Sequence, residues 1–181
     1  MKSKSAILIF CFTLLLSGTE ILRNADFGKL KTDGTPEEWE FRGEASNFKR
    51  ESTGSVVLIM KEKPVMLIQN RLALKPGTEY VFAFDAKAPR GTDFTVYFEE
   101  FVDGDWRNPG TECRPGGKGQ WLTGDIRFTP SAKAKRNRLL IRLLNKNASL
   151  QIKNLRIIPA SEYQKKGRPG RSQNPNCSGW N

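Results

Sequence analysis

Two runs of alternating apolar and polar residues meet at a Pro76-Gly77 turn near the middle of the chain. In the second run, Glu79–Ala88, one face carries Tyr80, Phe82, Phe84 and Ala86. A period of two is typical of antiparallel strands that bury one face. The pattern therefore predicts a β-hairpin whose second strand contributes to a core.

Seven segments in all have strand-like composition and are separated by residues that favour turns. They are Ser55–Met60, Val65–Leu74, Glu79–Ala88, Phe94–Phe101, Gln120–Thr129, Arg138–Asn145 and Leu150–Ile158. No long segment has the helical period. Short strands at this spacing predict an all-β sandwich or barrel.

The alternation of apolar and polar residues predicts which side chains of each strand point into the core. The predicted core consists of Phe82, Phe84, Phe94, Phe98, Leu139 and Ile141. In Arg138–Asn145 both faces contain apolar residues, so the outer face of that strand is expected to be covered or to line a groove.

The two ends of the chain differ from the middle. Lys2 and Lys4 precede an apolar run, Ala6–Leu16, and small residues follow. This layout predicts a secretory signal over residues 1–19, although a buried N-terminal element is the alternative. The expected organisation is a signal, one domain over residues 20–160, and a basic flexible tail over residues 161–181. The expected location is secreted, periplasmic or otherwise extracellular.

Cys113 and Cys177 remain after removal of the leader, which contains Cys11. In an exported protein they either pair in a disulfide or stay as two free thiols, and the sequence leaves both open. A bond closing so long a loop would contribute about 4 kcal/mol in the chain-entropy model.

The chain is strongly basic. Removing Lys2 and Lys4 from the 30 basic residues leaves 28 against 19 acidic ones, a net charge of +9. Such a field favours anionic partners such as acidic or sulfated glycans, nucleic acid or anionic lipid, or it serves solubility alone. The tail segment Lys165–Arg171 resembles a DNA-binding AT-hook. Nucleic acid is nevertheless an unexpected partner for an exported chain.

The sequence contains few of the residue combinations that enzymes use for catalysis. There is no histidine, which excludes Ser-His and Cys-His nucleophilic systems. Glu99 and Glu100 are neighbours on one strand, so they face opposite ways and cannot act as a carboxylate pair. The glycine-rich segment Arg114–Gly119 leads into a strand and is read as a surface loop rather than a phosphate site.

Sugar binding is better represented, because it needs flat aromatic side chains beside planar polar groups. The candidate ligand-binding residues are Gln69, Tyr97, Glu99, Trp106 and Arg142, with Arg71 predicted on the same outer face as Gln69. Trp106 is placed in a loop, Asp103–Asn108. Arg142 is either a solvated arginine or the partner of Glu99. Trp39 and Trp121 are expected to pack in the core or at an edge.

Several motifs resemble those of cellulose- and xylan-binding carbohydrate-binding modules, which have a galactose-binding-like fold. Ile21–Phe27 and Gly34–Trp39 resemble the opening of that family. Leu72–Tyr80 followed by Phe82–Lys87 resembles its Pro-Gly hairpin. The resemblance covers residues 21–159 and implies an antiparallel jelly-roll β-sandwich.

The resemblance also implies a function: a secreted, non-catalytic module that binds polysaccharide or oligosaccharide, with acidic polymers among the candidates, beside a separate glycoside hydrolase. The alternatives are an interaction domain that has lost sugar binding and a small glycoside hydrolase. Family members often hold a structural calcium ion. Here Gly28 and Lys153-Asn154 replace acidic residues, so no cofactor is expected and no residue is assigned to a metal.

Overall fold

Two antiparallel sheets, stacked face to face, form the protein in the computed structural model, which describes residues 21–110 and 117–163. The predicted leader, Cys113, Cys177 and residues 164–181 of the predicted tail lie outside the described residues. The predictions of a signal and of a disulfide therefore fall outside the structure.

Ten strands make up the described sandwich. They are β1 (Glu40–Arg42), β2 (Phe48–Arg50), β3 (Val56–Met60), β4 (Met66–Asn70), β5 (Tyr80–Lys87), β6 (Phe94–Val102), β7 (Asp105–Arg107), β8 (Trp121–Phe128), β9 (Arg136–Leu143) and β10 (Ala148–Pro159). The first sheet has the order β1-β4-β9-β6-β7 and the second β2-β3-β10-β5-β8. Two single 3₁₀ turns, Ala45–Asn47 and Ala160–Glu162, accompany the strands. Within residues 21–110 and 117–163, no helix is long and apolar enough to cross a bilayer.

The all-β prediction is confirmed, and each of the seven predicted segments contains a strand. The sequence did not predict β1, β2 and β7. Each of these is three residues long, too short for an alternation to be read.

The core lies between the two sheets, where the inward faces of the long strands meet. All six predicted core residues are buried. Phe98 of the first sheet stacks on Phe128 of the second, with ring centroids 4.1 Å apart. Tyr80 stacks on the same Phe128 ring at 6.0 Å. This aromatic contact joins the two layers, because offset rings gain energy beyond the area they bury.

The N-terminal segment packs into the core ahead of the first strand. Phe27 and Trp39 are buried, with ring centroids 5.4 Å apart. The indole nitrogen of Trp39 donates to the main-chain carbonyls of Arg23 and Asn24 at 3.1 and 3.2 Å. The predicted packing role of Trp39 is therefore confirmed.

Close packing explains a glycine in the predicted surface loop. A Cβ on Gly117 would overlap the carbonyl oxygen of Pro89. The Gly117 N–H donates to the carbonyl of Thr92 at 2.7 Å. Only glycine allows this approach of two main chains, so the described end of the segment has a packing reason for its composition.

Candidate functional site

The exposed surface of the first sheet collects most of the predicted binding residues, because β6 and β9 pair along their full length. Their register places Thr95 opposite Arg142, Tyr97 opposite Leu140, Glu99 opposite Arg138 and Phe101 opposite Arg136. Side chains directly opposite in an antiparallel pair are in contact range. Since these residues alternate with the core residues of the same strands, they share the side away from the core.

We refer to this surface as the outer face. It is defined by Tyr97, Glu99 and Phe101 on β6, Trp106 on β7, and Arg136, Arg138 and Arg142 on β9. From the Thr95 row to the Phe101 row it spans about 20 Å along the strands, at the usual rise per residue. Four of the five predicted ligand-binding residues lie on it.

Trp106 lies on a strand rather than in the predicted loop. Asp103 and Gly104 both have positive φ, 54° and 94°, and form a two-residue hairpin turn that pairs Trp106 with Phe101. An Asp-Gly pair between two such runs is a strong hairpin signal. Applied to this turn, that signal would have located the ring correctly.

Guanidinium groups lie against the aromatic rings of the outer face. The Arg138 guanidinium carbon is 3.8 Å from the Trp106 ring centroid. That of Arg136 is 4.2 Å from the Phe101 centroid and 5.5 Å from that of Trp106. Such contacts are cation–π interactions. One face of Trp106 is thus covered by arginine, and a sugar ring cannot stack on that side without displacing it.

Glu99 is also engaged within the protein. Its Oε2 accepts from Arg138 Nη2 at 2.6 Å and from Nε at 2.7 Å. Both side chains are only 18% exposed, so this ion pair is largely shielded from solvent. The carboxylate fixes the arginine that covers Trp106.

Arg142 is not the partner of Glu99, one of the two predicted alternatives. Its Nε is buried and has no hydrogen-bond partner among the described residues. A buried donor without an acceptor costs free energy. The side chain as a whole is half-buried, so Arg142 is neither fully solvated nor paired with Glu99.

Gln69 has a different position from the one predicted, and the prediction for its facing was wrong. Its side chain is fully buried, opposite Leu139 in the core. The amide oxygen accepts from the Arg23 N–H at 2.9 Å, and the amide nitrogen donates to the Arg23 carbonyl at 2.7 Å. Gln69 thus binds the N-terminal segment and lies outside the candidate site.

The predicted covering of the outer side of β9 is confirmed at Leu140, which is 2% exposed. Its neighbour across the ladder, Ile68, is also buried. These two side chains form an apolar floor between the arginine at one end of the face and the arginine–aromatic contacts at the other.

A pocket of about 410 Å³ lies at the Trp106 end of the outer face. We refer to it as the corner pocket. Its lining residues are Arg23, Glu38, Asn70, Arg71, Trp106, Arg136 and Asn137. Arg71, predicted on the outer face, therefore reaches this pocket from the end of β4.

Two carboxyl groups of the first sheet have pKa values shifted in opposite directions. The hydrogen bond from Arg42 lowers the pKa of Glu40, with Asn70 and the charge of Arg138 acting in the same direction. Burial raises the pKa of Glu100, which accepts one hydrogen bond from the Ser131 N–H at 2.8 Å. Glu40 is thus a stable anion, whereas the charge of Glu100 is unfavourable in the fold.

Replacing Glu100 by Gln should raise the melting temperature at pH 7 by a few degrees. Gln keeps an oxygen for the Ser131 N–H and removes the buried charge. Because the folded-state pKa is raised, the cost of the charge is present above that pKa and disappears as the pH falls through the ordinary carboxyl range. Thermal unfolding from pH 4 to 8 tests this. Glu44→Gln, at an exposed position, is the control. A melting-temperature difference between Glu100→Gln and the wild type that stays constant across the pH range would contradict the prediction.

The carboxylates of β6 do not form a pair, and those of the described residues form no cluster suited to a metal ion. Glu99 and Glu100 face opposite sides of β6, as predicted. No group of three or more His, Cys, Asp or Glu side chains among the described residues could hold a metal ion. Asn154 donates its amide to Asp85 at 2.6 Å, and the ammonium of Lys153 lies 4.2 Å from the Trp121 centroid. The ammonium of Lys153 does not fit a calcium ligand set.

Trp121 lies on the opposite sheet, at the start of β8, and is 37% exposed. It lies on the edge strand of the second sheet, one of the two predicted placements, and Lys153 lies over its ring. Its distance from the outer face makes it a suitable control for aromatic substitutions there.

Comparison with solved structures identifies the architecture. A family 4 carbohydrate-binding module is similar over 76% of this chain and 98% of its own, at 16% identity and a TM-score of 0.61. A family 61 module solved with β-1,4-galactotriose covers 77% and 98%, at 16% identity and a TM-score of 0.57. A Bacteroides thetaiotaomicron protein described as sugar-binding is similar over 77% of this chain and 99% of its own, at 16% identity and a TM-score of 0.56.

No protein-family model matches the chain, and no curated protein matches it in sequence. The likeness is therefore one of structure, over nearly the full length of the modules compared. Combined with the two antiparallel five-stranded sheets, it establishes that this chain has the jelly-roll β-sandwich fold of carbohydrate-binding modules.

Proposed function

We propose that this protein is a non-catalytic module that binds polysaccharide across the outer face of its first sheet. The observation that carries the proposal is the placement of Tyr97, Trp106 and Arg142 on one surface above a buried apolar floor. Sugars present apolar C–H faces and rings of hydroxyls, so they need this combination of ring and planar donor. The likeness to sugar-binding modules supports the same function.

Tyr97 and Arg142 have the most direct roles in this proposal. Tyr97 is partly exposed and lies opposite Leu140 in the middle of the face, where a sugar ring would contact it. The half-buried guanidinium of Arg142 lies on the same face, where it would donate to a sugar oxygen. Glu99 and Trp106 act through their bonds and contacts to Arg138, which hold the surface in shape.

The Tyr97→Ala variant should bind the glycan that the wild type retains roughly tenfold more weakly, since each tenfold loss corresponds to about 1.4 kcal/mol. Affinity-gel retention or calorimetry of the full chain measures the change. Trp121→Ala, on the opposite sheet, should stay within about twofold of the wild type.

The double variant Tyr97→Ala, Trp106→Ala tests whether the glycan binds on the outer face. Retention unchanged in this folded variant would show that the glycan binds elsewhere on the sandwich. Retention of no glycan by the wild type would instead favour the alternative of an interaction domain without sugar binding.

We also propose that the protein is exported and acts outside the cytoplasm beside a separate glycoside hydrolase. The layout of residues 1–19 supports export. Glu99 is paired with Arg138 and faces away from Glu100, which supports assigning cleavage of the bound polymer to another protein.

A further inference from the structure

We infer that the corner pocket binds an anionic group of the polysaccharide, a uronate carboxylate or a sulfate ester. The inference rests on the proposed function and names the class of its ligand. The inference rests on the arginines of the pocket, because some are paired with a carboxylate and others are not.

Most polar groups of the pocket are used within the protein. Arg23 Nε pairs with Glu38 at 2.9 Å, and Arg23 Nη2 donates to the Asn70 carbonyl at 3.0 Å. The side chain of Asn137 bonds both main-chain groups of Leu72. The one carboxylate in the lining, that of Glu38, is therefore already paired with a guanidinium.

Two guanidinium groups remain without a carboxylate. Arg71 and Arg136 form no ion pair within residues 21–110 and 117–163, and both line the pocket. Three arginines against one glutamate leave the lining with an excess of two positive charges. An anion placed between Arg71 and Arg136 could pair with both guanidinium groups, and its single negative charge would reduce the excess from two to one.

The geometry favours a planar or oxygen-rich anion over a neutral hydroxyl. Arg136 lies over Phe101 and near Trp106, so its guanidinium is held in orientation before a ligand arrives. Arg71 has φ of 57°, and its main-chain N–H donates to the Asn137 carbonyl at 3.0 Å. These contacts fix the main chain of Arg71 at the rim of the pocket. The guanidinium forks of Arg136 and Arg71 match carboxylate and sulfate oxygens. The Trp106 wall supplies an apolar surface for the sugar ring that carries the anion.

The distribution of charge elsewhere on the face is consistent with this position. Arg138 is neutralised by Glu99 and Arg42 by Glu40. The middle of the face is thus close to neutral. Among the described residues, the corner pocket carries two guanidinium groups without a carboxylate, and the opposite end carries one, that of Arg142. A polymer would place its neutral rings over Tyr97 and an acidic group in the corner.

The test uses the full chain and two matched pairs of probes: polygalacturonate with its carboxyl-reduced form, and dextran sulfate with dextran. We expect retention of at least one charged polymer, no retention of its neutral partner, and weaker binding as salt increases, because exposed charges are screened. The pair that shows the difference tells carboxylate from sulfate.

The Arg71→Gln variant should bind the retained charged polymer roughly tenfold more weakly, the effect expected for a lost charge-assisted contact. Arg50→Gln, on the second sheet, removes the same charge elsewhere and should change binding less than about twofold. Equal losses in the two variants would show that only net charge matters and would overturn the corner pocket.

The outcomes separate this inference from the proposed function. Equal, salt-insensitive retention of charged and neutral partners would overturn the anion site and leave the polysaccharide module intact. If a glycan array covering neutral and acidic polymers shows no binding at low salt, both fail. An oligonucleotide that binds more tightly than any charged glycan would also overturn the inference.

Discussion

Replacing Gln69 by Leu should lower the free energy of unfolding by about 2–4 kcal/mol, because two main-chain groups of Arg23 lose their partners at once. Leu has a similar volume, so the change removes hydrogen bonds rather than packing. The amide of Gln69 supplies both bonds, at 2.9 and 2.7 Å, to a segment 46 residues earlier in the chain. Denaturant unfolding of the two proteins measures the difference.

This variant also distinguishes a structural Gln69 from one that contacts the ligand. Gln120→Leu, at an exposed position just before β8, is the matched control and should unfold like the wild type. If Gln69→Leu keeps its stability but loses glycan binding, the residue contacts the ligand, as first predicted. A loss of stability with binding intact would place its role in the fold alone.

The error at Gln69 shows where a sequence pattern no longer predicts which face of a strand is buried. Val65, Leu67 and Gln69 share one face of the strand, while Met66 and Ile68 share the other. Side chains on both sides of β4 are buried, and β4 lies between β1 and β9 in its sheet, so alternation cannot tell inward from outward. In β6, by contrast, Phe94, Val96 and Phe98 alternate with polar residues, and the predicted facing was correct.

The candidate site was partly predictable for the same reason. Tyr97 and Glu99 follow from the alternation of β6, and Trp106 would have followed from the Asp103-Gly104 hairpin. The corner pocket could not be predicted, because it joins residues from the N-terminal segment, the end of β4 and the start of β9. Such contacts depend on sheet order, which skips from β4 to β9 and leaves no local signal.

The arginine contacts were also beyond sequence analysis. Arg136 and Arg138 lie two residues apart on the same side of β9, beside a ring brought from β7 by the hairpin. The sequence offered Arg142 as the partner of Glu99. The register of β6 and β9 instead places Arg138 opposite Glu99, and a pairing register is a three-dimensional property.

Replacing Arg138 by Leu should destabilise the protein by about 2–3 kcal/mol and weaken glycan binding by more than tenfold. The carboxylate of Glu99, only 18% exposed, would then lack its partner, and a shielded charge without a partner is costly. Trp106 would also lose the cation that lies 3.8 Å from its ring centroid, which is worth about 0.5–2 kcal/mol. Thermal unfolding and retention on the glycan that the wild type binds measure the two effects.

The double variant Glu99→Leu, Arg138→Leu separates the ion pair from the stacking. With both charges removed, much of the lost stability should return, because apolar side chains often replace a shielded ion pair without loss. Glycan binding should stay weak, since Trp106 remains without the guanidinium that orients it. A coupling energy near zero in the cycle of single and double variants would show that the pair contributes nothing. Full recovery of binding in the double variant would show that the ordered arginine–tryptophan contact is not needed to hold the polymer.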